Sequence, residues 1–318
     1  LRNQVSFMLS ACNFYMPIFE EALDAYGLPL ELRYLPIIES ALNPSAVSRA
    51  GASGLWQFMI GTGKIYGLES NSLVDERRDP IKATWAAARY LKEMYDIYGD
   101  WNLVIAAYNC GPGTINKAIR RANGETDYWK IYNYLPKETR GYVPAFIAAN
   151  YVMTYYCDHN ICPMETNIPA STDTVQVNKN LHFEQIADLC NVPLDQIKSL
   201  NPQYKKQMIP GDSKPYTLRL PIDAISTFID KQDTIYAHRA DELFRNRKTV
   251  AIKEITPSTR KTTTAVAGKG KLTYYTIKSG DTLSTIAGKY GVTIKDIQRW
   301  NGMSNTKIAA GKRLKIYK

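Results

Sequence analysis

The stretch LPLELRYLPIIES, residues 28–40, decides the reading of the first half of the chain through the position of its last glutamate, Glu39. Pro29 suits the first position of a helix, where its missing N–H costs nothing, and Glu31 in the first turn complements the helix dipole. Asn43-Pro44 must end that helix, because the residue before a proline is driven out of the α region. Glu39 is therefore expected in the last turn, behind the apolar Leu35, Ile37 and Ile38. A carboxylate there sits at the negative end of the dipole and beside apolar surface, and both effects raise its pKa. A general acid working near neutrality needs that property. Taken alone, a glutamate near a helix end is most often a solvated surface group, so the neighbouring segments must decide.

Outward from this stretch, Gln4 to Tyr156 is mostly helical text. Trp85–Tyr98 and Leu103–Tyr108 are rich in alanine and aromatics with apolar residues three and four apart. Gly and Pro punctuate it at Gly27, Asn43-Pro44, Gly61–Gly63, Asp79-Pro80 and Gly111-Pro-Gly113. Residues 1–170 thus read as a compact all-α domain. Residues 171–244 alternate short strands with two short helices. Residues 245–271 are rich in Thr, Lys and Arg without lasting periodicity and have linker composition. Residues 272–318 repeat the strand–helix–helix–strand pattern in clearer form. FEQIADLCNVPLDQIKSLNP (183–202) and LSTIAGKYGVTIKDIQRWNG (283–302) align without a gap, matching Ile186 to Ile286, Val192 to Val292, Ile197 to Ile297 and Asn201 to Asn301. The expected fold class is mainly α, with small α+β units of βααβ type.

Composition narrows the function. The chain of 318 residues is 45% hydrophobic and 22% charged, ordinary for a globular protein, and no apolar run is long enough to span a membrane. Its net charge of +10 is unevenly spread: 1–170 and 171–244 each carry −2, whereas 245–271 and 272–318 each carry +7. Five scattered cysteines do not make a disulfide framework. Cys157 and Cys162 could close a small loop in an oxidising compartment, and packed free thiols are an equal reading. The three histidines share no ligand spacing, so neither a zinc site nor any other metal or cofactor is expected. Nucleic-acid binding would account for the basic tail but for none of the motifs.

Those motifs are Glu39-Ser40, SRAGASGLWQFM at 48–59, AAYNCGPG at 106–113 and ETRGYVPAF at 138–146. Together they resemble the lytic transglycosylases of the goose-lysozyme-like superfamily, most closely the membrane-bound lytic murein transglycosylase D group. The resemblance implies a lysozyme-like catalytic domain with Glu39 as sole acid/base and Ser40 beside it as a substrate-binding residue. It places Ser48 near the acetamido group of the reacting sugar, Gln57 and Met59 along the subsites, Tyr108 and Asn109 on the opposite wall, and Tyr142 orienting Glu39. Amides and hydroxyls suit sugar hydroxyls and N-acetyl groups, and aromatic faces suit pyranose rings. Leu55, Trp56 and Phe58 read as core or subsite wall. Asp75, Glu76 and Asp79 stand among Arg77 and Arg78 as structural ion pairs, which leaves Glu138 as the one other candidate carboxylate.

Residues 272–318 resemble the carbohydrate-binding lysin motif, LysM, through YTIKSGDTLSTIAGKYGV and Trp300-Asn301. That likeness implies a sugar groove formed by Gly280, Asp281, Thr282 and Leu283 with Lys307, Ile308 and Ala309. The copy at 171–244 has Lys179-Asn-Leu-His182 in place of Gly-Asp-Thr, so it is expected to keep the fold and not the sugar binding. The implied function is cleavage of the MurNAc-β-1,4-GlcNAc bond of peptidoglycan with 1,6-anhydro ends, by a monomer in the periplasm or at the outer membrane of a Gram-negative cell. Membrane attachment would then be through an N-terminal segment removed before Leu1. The rivals are a goose-type lysozyme using water and a non-catalytic peptidoglycan-binding protein.

Overall fold

A computed structural model describes residues 2–166, 168–169, 171–244, 254, 272–278, 281–303 and 308–317. The segment expected to be a linker, 245–271, lies outside the described residues except for Glu254. The chain divides into two compact units, Leu1–Pro257 and Ser258–Lys318. The architecture is mainly helical, with small antiparallel sheets.

The first unit opens with α1 (Arg2–Ala25), α2 (Leu35–Ser40), α3 (Ile60–Ile65), α4 (Pro80–Tyr98), α5 (Trp101–Cys110), α6 (Pro112–Arg121), α7 (Tyr128–Ile131) and α8 (Lys137–Thr154). Helix α5 runs through the middle, with Leu103 to Ala107 buried all round it, and packs on α4, α6 and α8. Its alanines let those neighbours approach closely. The helix starts follow local chemistry: the Asp79 carboxylate accepts from Ile81 N and Lys82 N, both at 3.0 Å, and Asp100 accepts from Leu103 N at 2.8 Å. Gly99 at φ +61° closes α4.

One expectation needs correction. Residues 28–40 are not one helix: Leu30–Tyr34 is a 3-10 turn, and the α-helix begins at Leu35. Pro36 is the reason, since it has no N–H to continue a ladder from the preceding turn. The helix also ends before Asn43, because Ala41 and Leu42 adopt left-handed backbone at φ 51° and 58°. Such backbone costs about 1–2 kcal/mol per non-glycine residue; burial of the Leu42 side chain, 1% exposed, offsets it.

A second core follows in the same unit: β1 (Thr172–Val177), β2 (Asn180–His182), α9 (Phe183–Cys190), α10 (Leu194–Leu200), β3 (Met208–Pro210), β4 (Tyr216–Pro221), α11 (Ile222–Asp230), α12 (Gln232–Ala237) and α13 (Ala240–Leu243). Strand β1 pairs antiparallel with β4, from Thr172↔Pro221 to Val177↔Tyr216, and β2 with β3. This core is shared with the first domain, whose Leu73 and Val74 are buried in it.

The second unit has β5 (Leu272–Thr276), α14 (Leu283–Tyr290), α15 (Ile294–Asn301) and β6 (Arg313–Tyr317), with β5 and β6 antiparallel. The internal repeat has a physical basis in its asparagines. Asn201 Nδ2 donates to Ile197 O and Arg219 O at 2.9 and 2.8 Å, and its Oδ1 accepts from Arg219 N at 2.8 Å. Asn301 makes the same three bonds, to Ile297 O, Lys315 O and Lys315 N, at 2.8, 2.9 and 2.7 Å. One amide thus ties the second helix to the closing strand in each copy. Asn201→Ala leaves those strand groups unpaired in a buried setting, which costs about 1–3 kcal/mol in urea denaturation of the full chain. A loss under about 0.5 kcal/mol, the range of neutral surface changes, contradicts that role.

Candidate active site

Glu39 stands in the last turn of α2, half-buried, where helix α8 crosses it. Tyr142, on α8, donates its hydroxyl proton to Glu39 Oε1. Burial pushes the Glu39 carboxyl up to about 7; the Tyr142 hydrogen bond opposes this, and the negative charge of Glu138, one turn earlier on α8, adds to it. Burial and the nearby Glu39 charge push both Tyr108 and Tyr142 well above the usual phenol range, so each remains a hydrogen-bond donor.

The loop 48–59 carries most of the other expected residues. Ser48 is exposed, and its Oγ accepts from Ala52 N at 3.0 Å. Gln57 has left-handed backbone at φ 48°, and its Nε2 donates to Gly54 O at 2.8 Å, holding its own turn. Gly54, at φ +89°, lies so close to the next segment that a Cβ would come within 1.7 Å of the Arg77 carbonyl oxygen, so only glycine fits. Leu55, Trp56 and Phe58 are core, at 0%, 0% and 3% exposed. Tyr108 OH donates to Trp56 O at 2.7 Å, and Thr139 Oγ1 donates to Asn109 Oδ1 at 2.9 Å, fixing the facing wall.

Gln57, Met59, Tyr108 and Asn109 line one cavity of about 270 Å³, together with Tyr90, Thr62 and Cys110. Sequence reading missed these last three; Tyr90 is hidden in the regular apolar spacing of α4, and Thr62 and Cys110 carry no motif of their own. Ser40 differs from expectation: its Oγ lies 3.0 Å from Pro36 O and 2.9 Å from Leu55 O, so its one proton ties α2 to the loop. The acidic run is structural: Asp75 pairs with Arg77 at 2.8 Å, Glu76 with Lys82 at 2.5 Å, and Asp79 caps α4.

In the second unit Asp281 Oδ2 accepts from Lys278 N and Tyr275 OH, both at 2.8 Å, and these bonds hold its carboxyl below the usual range. Leu283 is a correction: its side chain is 2% exposed in the core, since it opens the buried face of α14, so only its backbone borders the loop. Ile308 is half-buried and Ala309 exposed; Gly280 and Lys307 lie outside the described residues. All five cysteines are free, and Cys157 and Cys162 are exposed rather than packed. Among the described residues no three metal-ligating side chains cluster.

Residues 16–131 match the family model of the transglycosylase SLT domain, 171–237 that of the lytic transglycosylase MltD LysM-like domain, and 275–316 that of the LysM domain. Segment by segment, the chain is thus similar to lytic transglycosylases of the SLT-domain type and to LysM modules. It is 33% identical over 296 residues to the membrane-bound lytic murein transglycosylase D of Escherichia coli K12, covering 91% of this chain and 60% of that protein. The chain therefore spans about 60% of the length of the first curated relatives it matches. The soluble lytic murein transglycosylase of the same strain is 33% identical over 124 residues, 37% of this chain and 19% of its own. Among solved structures, the 70 kDa soluble lytic transglycosylase of Escherichia coli matches 45% of this chain and 24% of its own at 29% identity, with a TM-score of 0.39.

Because Glu39 is pushed up to about 7 from an ordinary 4.5, the folded chain holds between those values a proton that the unfolded chain has lost. Stability from this group is present at low pH and falls as pH rises through about 7. Glu39→Gln removes that penalty. In calorimetry its melting temperature should match the wild type near pH 4, exceed it increasingly as pH rises to about 7, and keep a constant lead above that. A difference independent of pH contradicts the assignment.

Proposed function

We propose that the chain is a lytic transglycosylase acting on the MurNAc-β-1,4-GlcNAc bond of peptidoglycan. The observation that carries this reading is a single half-buried carboxyl with its pKa raised to about 7 and a tyrosine hydroxyl fixed on it. Glycosidases that use water as nucleophile ordinarily need two carboxylates flanking the bond. Here Asp75, Glu76 and Asp79 are committed to ion pairs and a helix cap, and Glu138 is exposed and acts on Glu39 through its charge. A second carboxylate is dispensable when the substrate supplies the nucleophile.

In this mechanism the protonated Glu39 gives its proton to the glycosidic oxygen as the bond to C1 breaks, and the 2-acetamido group supports the positive charge at C1. The resulting Glu39 carboxylate takes the proton of the muramoyl 6-hydroxyl, whose oxygen closes on C1. The net change is one broken glycosidic bond and one 1,6-anhydro ring, with no water consumed and Glu39 protonated again. Tyr142 keeps the carboxyl oriented and stabilises its ionised form. Gln57, Met59, Tyr108 and Asn109 form the subsite walls, Ser48 stands by the acetamido group, and Ser40 positions α2.

The LysM unit would anchor the enzyme to glycan chains, with Asp281, Thr282, Ile308 and Ala309 on its groove. The tail charge of +14 over residues 245–318 adds salt-sensitive attraction to the carboxylates of the wall. None of the described helices is long and apolar enough to cross a membrane. The membrane-bound lytic murein transglycosylase D of Escherichia coli is membrane-bound by name, and we place this chain likewise in the Gram-negative cell envelope, acting as a monomer.

Mass spectrometry of digested peptidoglycan tests the reading. The wild type should release fragments with anhydro ends, lighter by one water than reducing ends, and Glu39→Gln should lose this activity by at least about a hundredfold while still binding. Products with reducing ends only would make the enzyme a water-using lysozyme. Equal behaviour of wild type and Glu39→Gln would make the chain a binding protein.

A further inference from the structure

Among the described residues, the hydrogen bonds and ion pairs of the LysM-like module at 171–237 with the first domain fall on the segment 69–79, whose two sides face different things. On the side of the loop 48–59, Arg77 Nη1 donates to Gly51 O at 2.8 Å and to Phe58 O at 2.9 Å, and Arg78 Nε donates to Ser53 Oγ at 3.1 Å. The Gly54 backbone rests on the Arg77 carbonyl. On the module side, Asp75 N donates to Gln203 O at 2.9 Å and Lys205 N to Leu73 O at 2.8 Å. Lys205 Nζ reaches Asn71 O at 2.7 Å and stands 3.8 Å from Asp75 Oδ2. Tyr216 OH donates to Glu69 Oε1 at 3.0 Å. Asp75, 1% exposed, is common to both sides, because its two oxygens also accept from Arg77 Nε and Nη2 at 2.9 and 2.8 Å.

The module has used up the surface that the LysM likeness would reserve for sugar. The segments that follow β1 and α10 are zipped together as β2 and β3, with Asn180↔Pro210, Leu181↔Ile209 and His182↔Met208 paired. Leu181, Met208 and Ile209 are buried, and a Cβ on Gly211 would come within 2.2 Å of the Lys179 carbonyl oxygen. The adjoining residues 203–205 dock on 71–75. What remains is a self-filled unit whose polar edge is committed to the first domain.

We infer that this module is a brace for the substrate loop, with Lys205 as a positioning residue that acts through Asp75 and Arg77 on the backbone of 51–58. Gln57 keeps its left-handed backbone because both flanks of its turn, at Gly51 and Phe58, are bonded to one guanidinium. Lys205 neutralises and confines the carboxylate that aims this guanidinium. Loss of the lysine leaves Asp75 facing one cation instead of two and frees the segment carrying Arg77 to shift. A loop displaced by a fraction of an ångström still binds glycan but presents it poorly to Glu39.

The test uses the full chain with Lys205→Met and Lys205→Arg, with Tyr216→Phe as a second, milder variant in case Lys205→Met does not fold. Lys198→Ala, which alters an exposed pair with Asp195 on the same module, is the control. Hydrogen–deuterium exchange is read first, because it needs no substrate. Amides of 51–58 should exchange about tenfold faster in Lys205→Met, with those of α6 unchanged and Lys205→Arg close to wild type. On soluble glycan fragments kcat should fall about tenfold with KM within about twofold, and Lys205→Arg should recover most of it. Unchanged exchange at 51–58 in the folded variants overturns the brace, as does a lower melting temperature with exchange and kcat at control values. The kinetic readout rests on the transglycosylase reading; a wild-type chain that releases no product contradicts that reading, while the exchange data decide the brace independently.

Discussion

The guanidinium of Arg77 is the constraint on which the site depends. It is 5% exposed, paired with a carboxylate that is 1% exposed, and bonded to two carbonyls of the loop that faces the cleft. Breaking a buried pair by removing one partner costs about 3–5 kcal/mol, since the remaining charge is left in a poor solvent. That cost fixes the loop, and the loop sets the rest. Gly54 can approach the Arg77 carbonyl only because it lacks a Cβ, Gln57 turns left-handed, and Trp56 offers its carbonyl to Tyr108. Tyr108 and Tyr142 then meet around Glu39.

Chemistry at Glu39 follows from burial. A short helix held between apolar residues and α8 keeps the carboxyl out of water, and the one strong group aimed at it is a neutral hydroxyl rather than a cation. Burial raises the proton affinity most, the Tyr142 hydrogen bond lowers it and the Glu138 charge adds to it, so the value near 7 is burial adjusted by two groups one turn apart on the same helix. An acid that must give a proton and then take one back is best poised there.

Much of this was legible in the sequence because the decisive residues come in short, ordered segments. Glu39 in a final turn, the burial of Trp56 and the meeting of Gln57, Met59, Tyr108 and Asn109 all follow from local pattern and family likeness. The paired asparagines of the repeat were visible too, and their bonds explain why they align. The break at Pro36 has a sequence signal of its own, a proline without an N–H to continue the ladder, beside the later stop at Asn43-Pro44. Other features depend on contacts remote in sequence. Nothing around Ser40 says that its proton goes to Leu55, nor around Leu283 that the helix turns it inward. The pairing of Lys205 with Asp75 joins residues 130 positions apart, which no periodicity reveals.

The most direct measurement is the pH dependence of kcat/KM on soluble glycan fragments for the wild type and Glu138→Gln, since that ratio reports the free enzyme. Activity of the wild type should fall as pH rises through about 7, where Glu39 loses its proton. In Glu138→Gln the fall should move to lower pH, because the neighbouring negative charge that holds the proton on has gone. A fall already complete near the ordinary carboxylate value of 4.5, or one that Glu138→Gln leaves in place, would contradict the account.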